Sequence, residues 1–283
     1  MKMEFGNFWY FLSLALLVVI PLVLYLILKN KSEKTIKYTL LTIAFLNFAL
    51  HFLKILHPDY LADIKTSLIR MSFENICAIS TILLPFAMIF KNKVFKTYLY
   101  FISFIGGLMA IIITTDPVGR NIYEFNSLRY YFCHYVLLTV PVVMVLTKQF
   151  KPEIKTAIWI PVMFLLGQTI ILLNEFVLWW TGLIDHNWTT FLSPYYHNPS
   201  FVFGPNETFK WTIDTFSFLI PSVFRTNVFN VEGLTDCYMP VLWVMVPALI
   251  AFPIFYFIIT LPFTYPDVKE WIKNIGTKTR KMG

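Results

Sequence analysis

Seven long apolar runs constrain this chain more than any other feature of its sequence. A helix needs about 20 mostly apolar residues to cross the roughly 30 Å of hydrocarbon in a bilayer. Only 14% of the 283 residues are charged, against about 25% in soluble domains. The expected fold is therefore an all-α integral membrane protein, a seven-helix bundle that forms a single domain. The predicted membrane spans are residues 8–28, 38–55, 71–90, 97–114, 127–147, 156–180 and 240–262.

The positions of the basic residues predict the orientation of this bundle. The short links 29–37, 91–96 and 148–155, together with the C-terminal tail, hold 15 of the 23 Lys and Arg residues. Lys and Arg between spans favour the cytoplasmic side, so these segments are expected in the cytoplasm. Because the number of spans is odd, the N-terminus then lies outside and the C-terminus in the cytoplasm. The net charge of +7 is accounted for by topology and lipid headgroups, and no nucleic-acid partner is expected.

The longest link, residues 181–239, falls on the outer side in this topology. It is rich in aromatic residues, Pro and Asn, and it is too aromatic to be a disordered linker. We predict an ordered external cap or a re-entrant segment. The chain as a whole is expected to be a multi-pass protein of the cell membrane, and its abundance of Lys, Ile, Phe and Asn is typical of an AT-rich bacterial genome.

Polar residues inside the predicted spans concentrate at one depth. A polar group in lipid is costly, so its position is informative. Cys77 and His134 each lie six or seven residues inside their spans, which is about 10 Å below the outer edge at a rise of 1.5 Å per residue. Four spans are thus predicted to form one polar layer in the outer half of the bilayer. Its members are Asn47, His51, Lys54, Glu74, Asn75, Cys77, Arg129, Tyr130, Tyr131, His134, Gln168, Asn174 and Glu175.

Each of these residues also has an ordinary structural explanation. A single membrane cysteine is most often a small hydrophobe, and a buried histidine often hydrogen-bonds between helices. Charged residues near span ends extend towards the headgroups. The coincidence in depth of Cys77 and His134, beside Glu74 and Tyr130, favours a functional site over these explanations.

Short motifs in the third to fifth spans carry a family resemblance. They are Asn75-Ile-Cys77, Gly106-Gly107, Asp116-Pro117 in the following link, and Tyr131-Phe-Cys-His134. At these residues, over about 70–150, the chain resembles the transmembrane protein 164 / YwaF family of polytopic membrane proteins. The resemblance implies acyl transfer between glycerolipids, with the family's cysteine at Cys77 and its histidine at His134.

The residue types suit that chemistry. A thiol must lose its proton to become a nucleophile, so it needs a base nearby. His134 would take the proton of Cys77, which would attack a lipid ester carbonyl and form a thioester. From helical spacing, Glu74 is the expected partner of the imidazole, and Tyr130 or Asn75 is the expected oxyanion donor.

The substrates expected from this reading are membrane phospholipids and lyso-lipids. Arg129 is expected to bind a lipid phosphate, and the predicted substrate-binding set also contains Asn75, His51, Asn174 and Glu175. The three cysteines form no CxxC pair, and neither a metal nor a cofactor is expected.

Two other functions remain open at this point. The polar layer would serve a membrane transporter as a substrate or proton site, although the inner half of the spans offers little polar lining. Alternatively, the chain is a non-catalytic lipid-binding subunit whose polar layer joins helices. That alternative predicts that a Cys77→Ser variant keeps its function.

Overall fold

The computed structural model describes residues 1–114, 116–185, 191, 200–205, 217–225 and 237–279. Within these residues the chain is helical, and its only extended pairing consists of two isolated β-bridges. The α-helices are α1 (Phe8–Leu28), α2 (Glu33–Leu53), α3 (Pro58–Leu61), α4 (Ile64–Met71), α5 (Ile76–Ile89), α6 (Lys93–Ile112), α7 (Phe125–Leu146), α8 (Trp159–Trp180) and α9 (Met245–Thr279).

Six helices in the described part of the chain are long and apolar enough to cross a membrane: α1, α2, α6, α7, α8 and α9. The pair α4 and α5 passes the same test jointly, but the two helices are bent by 56° at the short break between them. Counted as one broken span, this pair brings the number to seven. The predicted all-helical membrane fold is confirmed.

Polar capping residues set where several helices begin. The side chains of Asn7, Ser32, Asn75 and Asn92 each accept the N–H of the residue three positions later, which satisfies a donor that a helix start leaves unpaired. The second helix therefore starts after Ser32, earlier than the predicted span at 38. Its first turn is polar and extends the helix beyond the apolar run.

Helix α6 lies at the centre of the bundle. It packs against α5 on one side and α7 on the other, and it also contacts α8 and α1. Helix α2 packs against α5 and α7, and α9 packs against α8. The core includes the fully buried side chains of Phe101, Leu137 and Tyr256. Because lipid tails are as apolar as these side chains, close packing between helices stabilises the bundle more than removal from water does.

Contacts between links distinguish the two ends of the bundle. We call the end of the bundle that carries the N-terminus of the chain the N-terminal end. There the Met3 N–H donates to the Arg120 carbonyl at 3.0 Å, and the Gly119 N–H donates to the Met3 carbonyl at 2.8 Å. At the opposite end, Lys93 Nζ lies 2.6 Å from Glu153 Oε1, which joins two of the basic links. This pairing agrees with the alternation predicted from the charges.

The predicted external cap, 181–239, is described only in part. Its described pieces contain short 3-10 turns at Ser217–Leu219 and Ser222–Phe224. The rest of the predicted cap lies outside the described residues, namely 186–190, 192–199, 206–216 and 226–236.

The orientation of the bundle across the membrane is testable by cysteine labelling. We expect a membrane-impermeant maleimide to label Glu4→Cys and Tyr123→Cys in intact cells, because both exposed positions lie at the N-terminal end. Asn30→Cys, exposed at the opposite end, should react only after permeabilisation. The unsubstituted protein measures the background from the native cysteines. If Asn30→Cys alone were labelled in intact cells, the orientation would be the opposite of the one predicted. If Glu4→Cys and Tyr123→Cys differed in accessibility, the fold would be contradicted, because the structure places both at the same end.

Candidate active site at the break between α4 and α5

The predicted third span, 71–90, is interrupted just before Cys77. The chain leaves helical geometry at residues 72–75, between α4 and α5. The expectation of one continuous helix is therefore wrong. It follows that Glu74 lies before α5 begins and does not share a helical face with Cys77.

The first turn of α5 carries Cys77 and presents its backbone N–H. The first N–H groups of a helix have no partner inside the helix. Here Ser200 Oγ accepts the Ile76 N–H at 2.9 Å, and Asn75 Oδ1 accepts the Ala78 N–H at 2.8 Å. Among the described residues, no acceptor meets the N–H of Cys77 between them. This donor is thus available at a helix end that carries partial positive charge.

Two consecutive glycines on α6 bring the neighbouring helices close. A Cβ at Gly106 would lie 3.4 Å from Cys77 Sγ on α5. A Cβ at Gly107 would lie only 2.7 Å from the backbone oxygen of His134 and 3.0 Å from the backbone nitrogen of Leu138 on α7. The thiol and the backbone of His134 therefore flank the same glycine pair.

The hydrogen bond of the His134 ring assigns its tautomer. His134 Nδ1 lies 2.8 Å from the Tyr130 carbonyl oxygen, and a carbonyl can only accept a hydrogen bond. Nδ1 therefore carries the proton, and in the neutral ring Nε2 has a free lone pair. The rings of Tyr130 and His134 also pack together, with their centroids 4.2 Å apart. The structure has no hydrogen bond between the His134 ring and the Cys77 thiol.

A model of the TMEM164 family matches residues 3–226, well over half of the chain. The chain belongs to the TMEM164 family. No curated protein and no solved structure matches it. The resemblance inferred from the motifs is confirmed, and together with the apolar helices it identifies a multi-pass membrane protein.

Tyr130 and Glu74, which were predicted to support catalysis in this TMEM164-family site, have other hydrogen-bond partners in the structure. The Tyr130 hydroxyl donates to the Ala110 carbonyl at 2.5 Å, so its hydrogen is already used. Glu74 Oε1 accepts a hydrogen bond from Asn75 Nδ2 at 3.3 Å and is not bonded to the His134 ring. The Tyr130 carbonyl orients the imidazole instead.

Two residues of the predicted polar layer, His51 and Lys54, stabilise the break; of these, His51 was predicted to bind substrate. The last carbonyls of α4 have no partner within their helix because the helix ends there. His51 Nε2 donates to the Met71 carbonyl at 3.0 Å, and Lys54 Nζ donates to the Arg70 carbonyl at 2.7 Å. Both side chains are almost fully buried. They attach α2 to the end of α4.

Helices α8 and α7 complete the polar layer. Asn174 Nδ2 donates to Ser72 Oγ in the break at 2.9 Å, and Glu175 is buried next along α8. From α7, the Arg129 guanidinium lies over the Tyr60 ring, with Cζ 5.8 Å from the centroid. Among the described residues, Arg129 Nε has no hydrogen-bond partner.

The charges of this layer interact around Glu74. Its carboxylate is attracted by Lys54, Arg70 and Arg129, and it is repelled by Glu175. Lys54 at the end of α2, Arg129 of α7 and Glu175 of α8 thus surround Glu74 in the break between α4 and α5. Three cations and two carboxylates make this layer a site with an excess of positive charge when all are ionised.

No metal centre is found in the described part of the chain. There, no group of three or more His, Cys, Asp or Glu side chains is placed to hold a metal ion. The three cysteines are free thiols. Cys133 is buried on α7, and its carbonyl accepts a long hydrogen bond of 3.5 Å from Asn47 Nδ2.

Sequence reasoning missed two contributors to this site. Ser200 reaches the first turn of α5 from a position 124 residues away, and nothing in the sequence signals that contact. The Cys77 N–H was missed because the apolar run concealed the helix start. The signal for that start is the pair Ser72 and Asn75, both residue types that favour helix ends.

The glycine pair gives a matched stability test. Gly107→Ala should destabilise the protein by about 1–3 kcal/mol, because its Cβ would overlap backbone that has little freedom to move. Gly106→Ala meets ordinary contact at 3.4 Å and should leave stability unchanged or raise it by up to about 1 kcal/mol. Thermal unfolding in detergent measures both. Equal unfolding temperatures for the two variants would contradict the proposed close approach of α6 and α7.

The buried lysine gives a second test. Lys54→Met should destabilise the protein by about 1–3 kcal/mol, because the Arg70 carbonyl loses its partner and Glu74 loses a counter-charge. The matched control is Lys65→Met, which removes a solvent-exposed pair with Asp185 worth about 0–1 kcal/mol. Denaturation midpoints in the same detergent compare the two variants. A loss no larger in Lys54→Met than in Lys65→Met would show that the break does not depend on this contact.

Proposed function

We propose that this protein is a membrane-embedded acyltransferase that moves a fatty acyl chain between glycerolipids, with Cys77 as nucleophile and His134 as general base. The observation that carries the proposal is the arrangement around the glycine pair. The Cys77 thiol packs against Gly106, and the backbone of His134 packs against Gly107. The substrates are phospholipids and lyso-lipids of the cell membrane.

The first half-reaction forms an acyl-enzyme. His134 Nε2 takes the proton of the Cys77 thiol, and the sulfur attacks the ester carbonyl of the donor lipid. A C–S bond forms, the C–O bond breaks, and the leaving alkoxide of the lyso-lipid takes the proton back from His134. Sγ and Nε2 come within hydrogen-bond distance when lipid binds, as catalytic pairs often tighten only in the substrate complex.

The second half-reaction releases the acyl chain. A hydroxyl of the acceptor lyso-lipid gives its proton to His134 Nε2 and attacks the thioester carbonyl. The new C–O bond forms, the C–S bond breaks, and the thiolate of Cys77 recovers the proton. No oxidation or reduction occurs in either half.

The oxyanion of each tetrahedral intermediate is stabilised by the backbone N–H of Cys77. Such preorganised donors are among the largest contributions to acyl transfer. The supporting observation is that the neighbouring N–H groups of Ile76 and Ala78 already have acceptors. Asn75 serves by capping this turn, and Tyr130 serves by holding the His134 ring in the tautomer with Nε2 unprotonated.

The charged layer holds the polar end of the lipid. Arg129 binds the phosphate, since a guanidinium matches phosphate geometry and its Nε has no hydrogen-bond partner among the described residues. Glu74 and Glu175 orient the cations of the layer. His51 and Asn174 act on substrate through the break that they stabilise.

The test is detection of an acyl thioester on Cys77. Purified protein in vesicles that contain a donor phospholipid, but no lyso-lipid, should gain the mass of one fatty acyl chain. Hydroxylamine should remove that mass, and added lyso-lipid should discharge it. His134→Ala should slow acylation by about 10²–10⁴-fold, the usual contribution of a general base.

Cysteine variants supply the controls. Cys133→Ala and Cys237→Ala should still become acylated, whereas Cys77→Ala should not and should transfer no acyl chain. Absence of a hydroxylamine-labile acyl group on Cys77, together with lipid transfer by Cys77→Ala, would eliminate the enzymatic proposal.

A further inference from the structure

A short piece of the predicted external cap, residues 181–239, which we call the external segment, reaches the helix that carries Cys77. We call residues 200–205 the strap. Its first residue, Ser200, makes two hydrogen bonds with the bundle: its Oγ accepts the Ile76 N–H at 2.9 Å, and its carbonyl accepts Gln168 Nε2 from α8 at 3.0 Å. Both side chains are buried, Ser200 to 8% exposure and Gln168 to 3%. The strap therefore joins α8 to the first turn of α5.

Apolar contacts hold the strap in place. Val202 and Phe203 are buried in one cluster with Ile79 of α5 and Ile171 of α8. The Phe203 ring also stacks on Phe191, with centroids 4.9 Å apart. Ser200 is thus placed by a packed surface of the external segment and not by a single polar contact.

The backbone of the strap is held by further hydrogen bonds. The Val241 N–H donates to the Val202 carbonyl at 2.8 Å, and Trp243 Nε1 donates to the Phe201 carbonyl at 2.8 Å. Phe201 and Val241 have φ angles of 57° and 65°, in a region that large and β-branched residues rarely adopt. Such strain persists only where the surroundings determine the backbone strongly.

We propose that Ser200 is a positioning residue, held by Gln168, that sets the first turn of α5 and thereby aligns Cys77 for acyl transfer. Ser200 and Asn75 hold the N–H groups on either side of the Cys77 N–H. The position of that donor, and of the thiol beside it, then depends on the strap. The inference rests on the proposed function for its catalytic consequence, but the placement of the first turn is testable without it.

The kinetic test compares Ser200 variants in vesicles with donor and acceptor lipids. Ser200→Ala should lower kcat by about tenfold or more with KM unchanged, because small misplacement of reacting groups costs one to two orders of magnitude in rate. Ser200→Thr keeps the hydroxyl and should restore most of the rate. Gln168→Met should lower kcat in the same way. Ser222→Ala, an exposed serine of the external segment, is the matched control and should behave as the parent protein.

A second measurement separates local positioning from global stability. Peptide mass spectrometry measures the rate at which N-ethylmaleimide modifies each cysteine. In Ser200→Ala, loosening of the first turn should raise the modification rate of partly buried Cys77, while buried Cys133 on α7 stays unmodified. Parallel modification of Cys133 would mean general unfolding and would overturn the positioning role.

The remaining outcomes distinguish this inference from the proposed function. If the parent protein forms the acyl-enzyme and Ser200→Ala changes neither kcat nor Cys77 modification, the inference fails and the enzyme remains. If the parent protein forms no acyl-enzyme but Ser200→Ala still raises Cys77 modification alone, the proposed function fails and the strap's control of the turn is supported.

Discussion

The close approach of α6 and α7 at Gly107 is the contact on which the arrangement of the site depends. A Cβ at that position would lie 2.7 Å from the His134 carbonyl oxygen, so the two backbones touch directly. Consecutive residues on a helix are separated by about 100° around its axis. Gly106 therefore faces a different neighbour, and there it meets the Cys77 thiol on α5. Gly106 and Gly107 thus bring α5 and α7 against α6 at the same level along its axis.

The break between α4 and α5 imposes the second constraint. In a membrane, backbone groups that a helix leaves unpaired need partners from the protein. Here the carbonyls at the end of α4 bind His51 and Lys54, and the amides at the start of α5 bind Asn75 and Ser200. The same requirement that keeps the break intact gathers polar side chains beside Cys77. Part of the polar layer therefore has a structural role, which is to pair the backbone groups that the break leaves without partners.

The sequence predicts a polar layer formed by residues of several helices, but it does not predict the hydrogen-bond partner of each residue. Tyr130 and Glu74 were expected to serve the oxyanion and the imidazole because helical spacing placed them near His134 and Cys77. The structure instead pairs the Tyr130 hydroxyl with Ala110 and Glu74 with Asn75. Helical spacing gives direction and depth, whereas a hydrogen bond also depends on which neighbouring group lies within about 3 Å.

The sequence by itself determined that the chain is helical and which segments form its long apolar helices. These properties follow from apolar length and from hydrogen bonds that each helix makes within itself, so local composition is sufficient. Only the tertiary structure decided that the third span breaks at 72–75, that Gly107 touches α7, and that Ser200 meets Ile76 from 124 residues away. Those contacts depend on how separate segments pack together, and residue spacing along one segment contains no information about the surface that another will present.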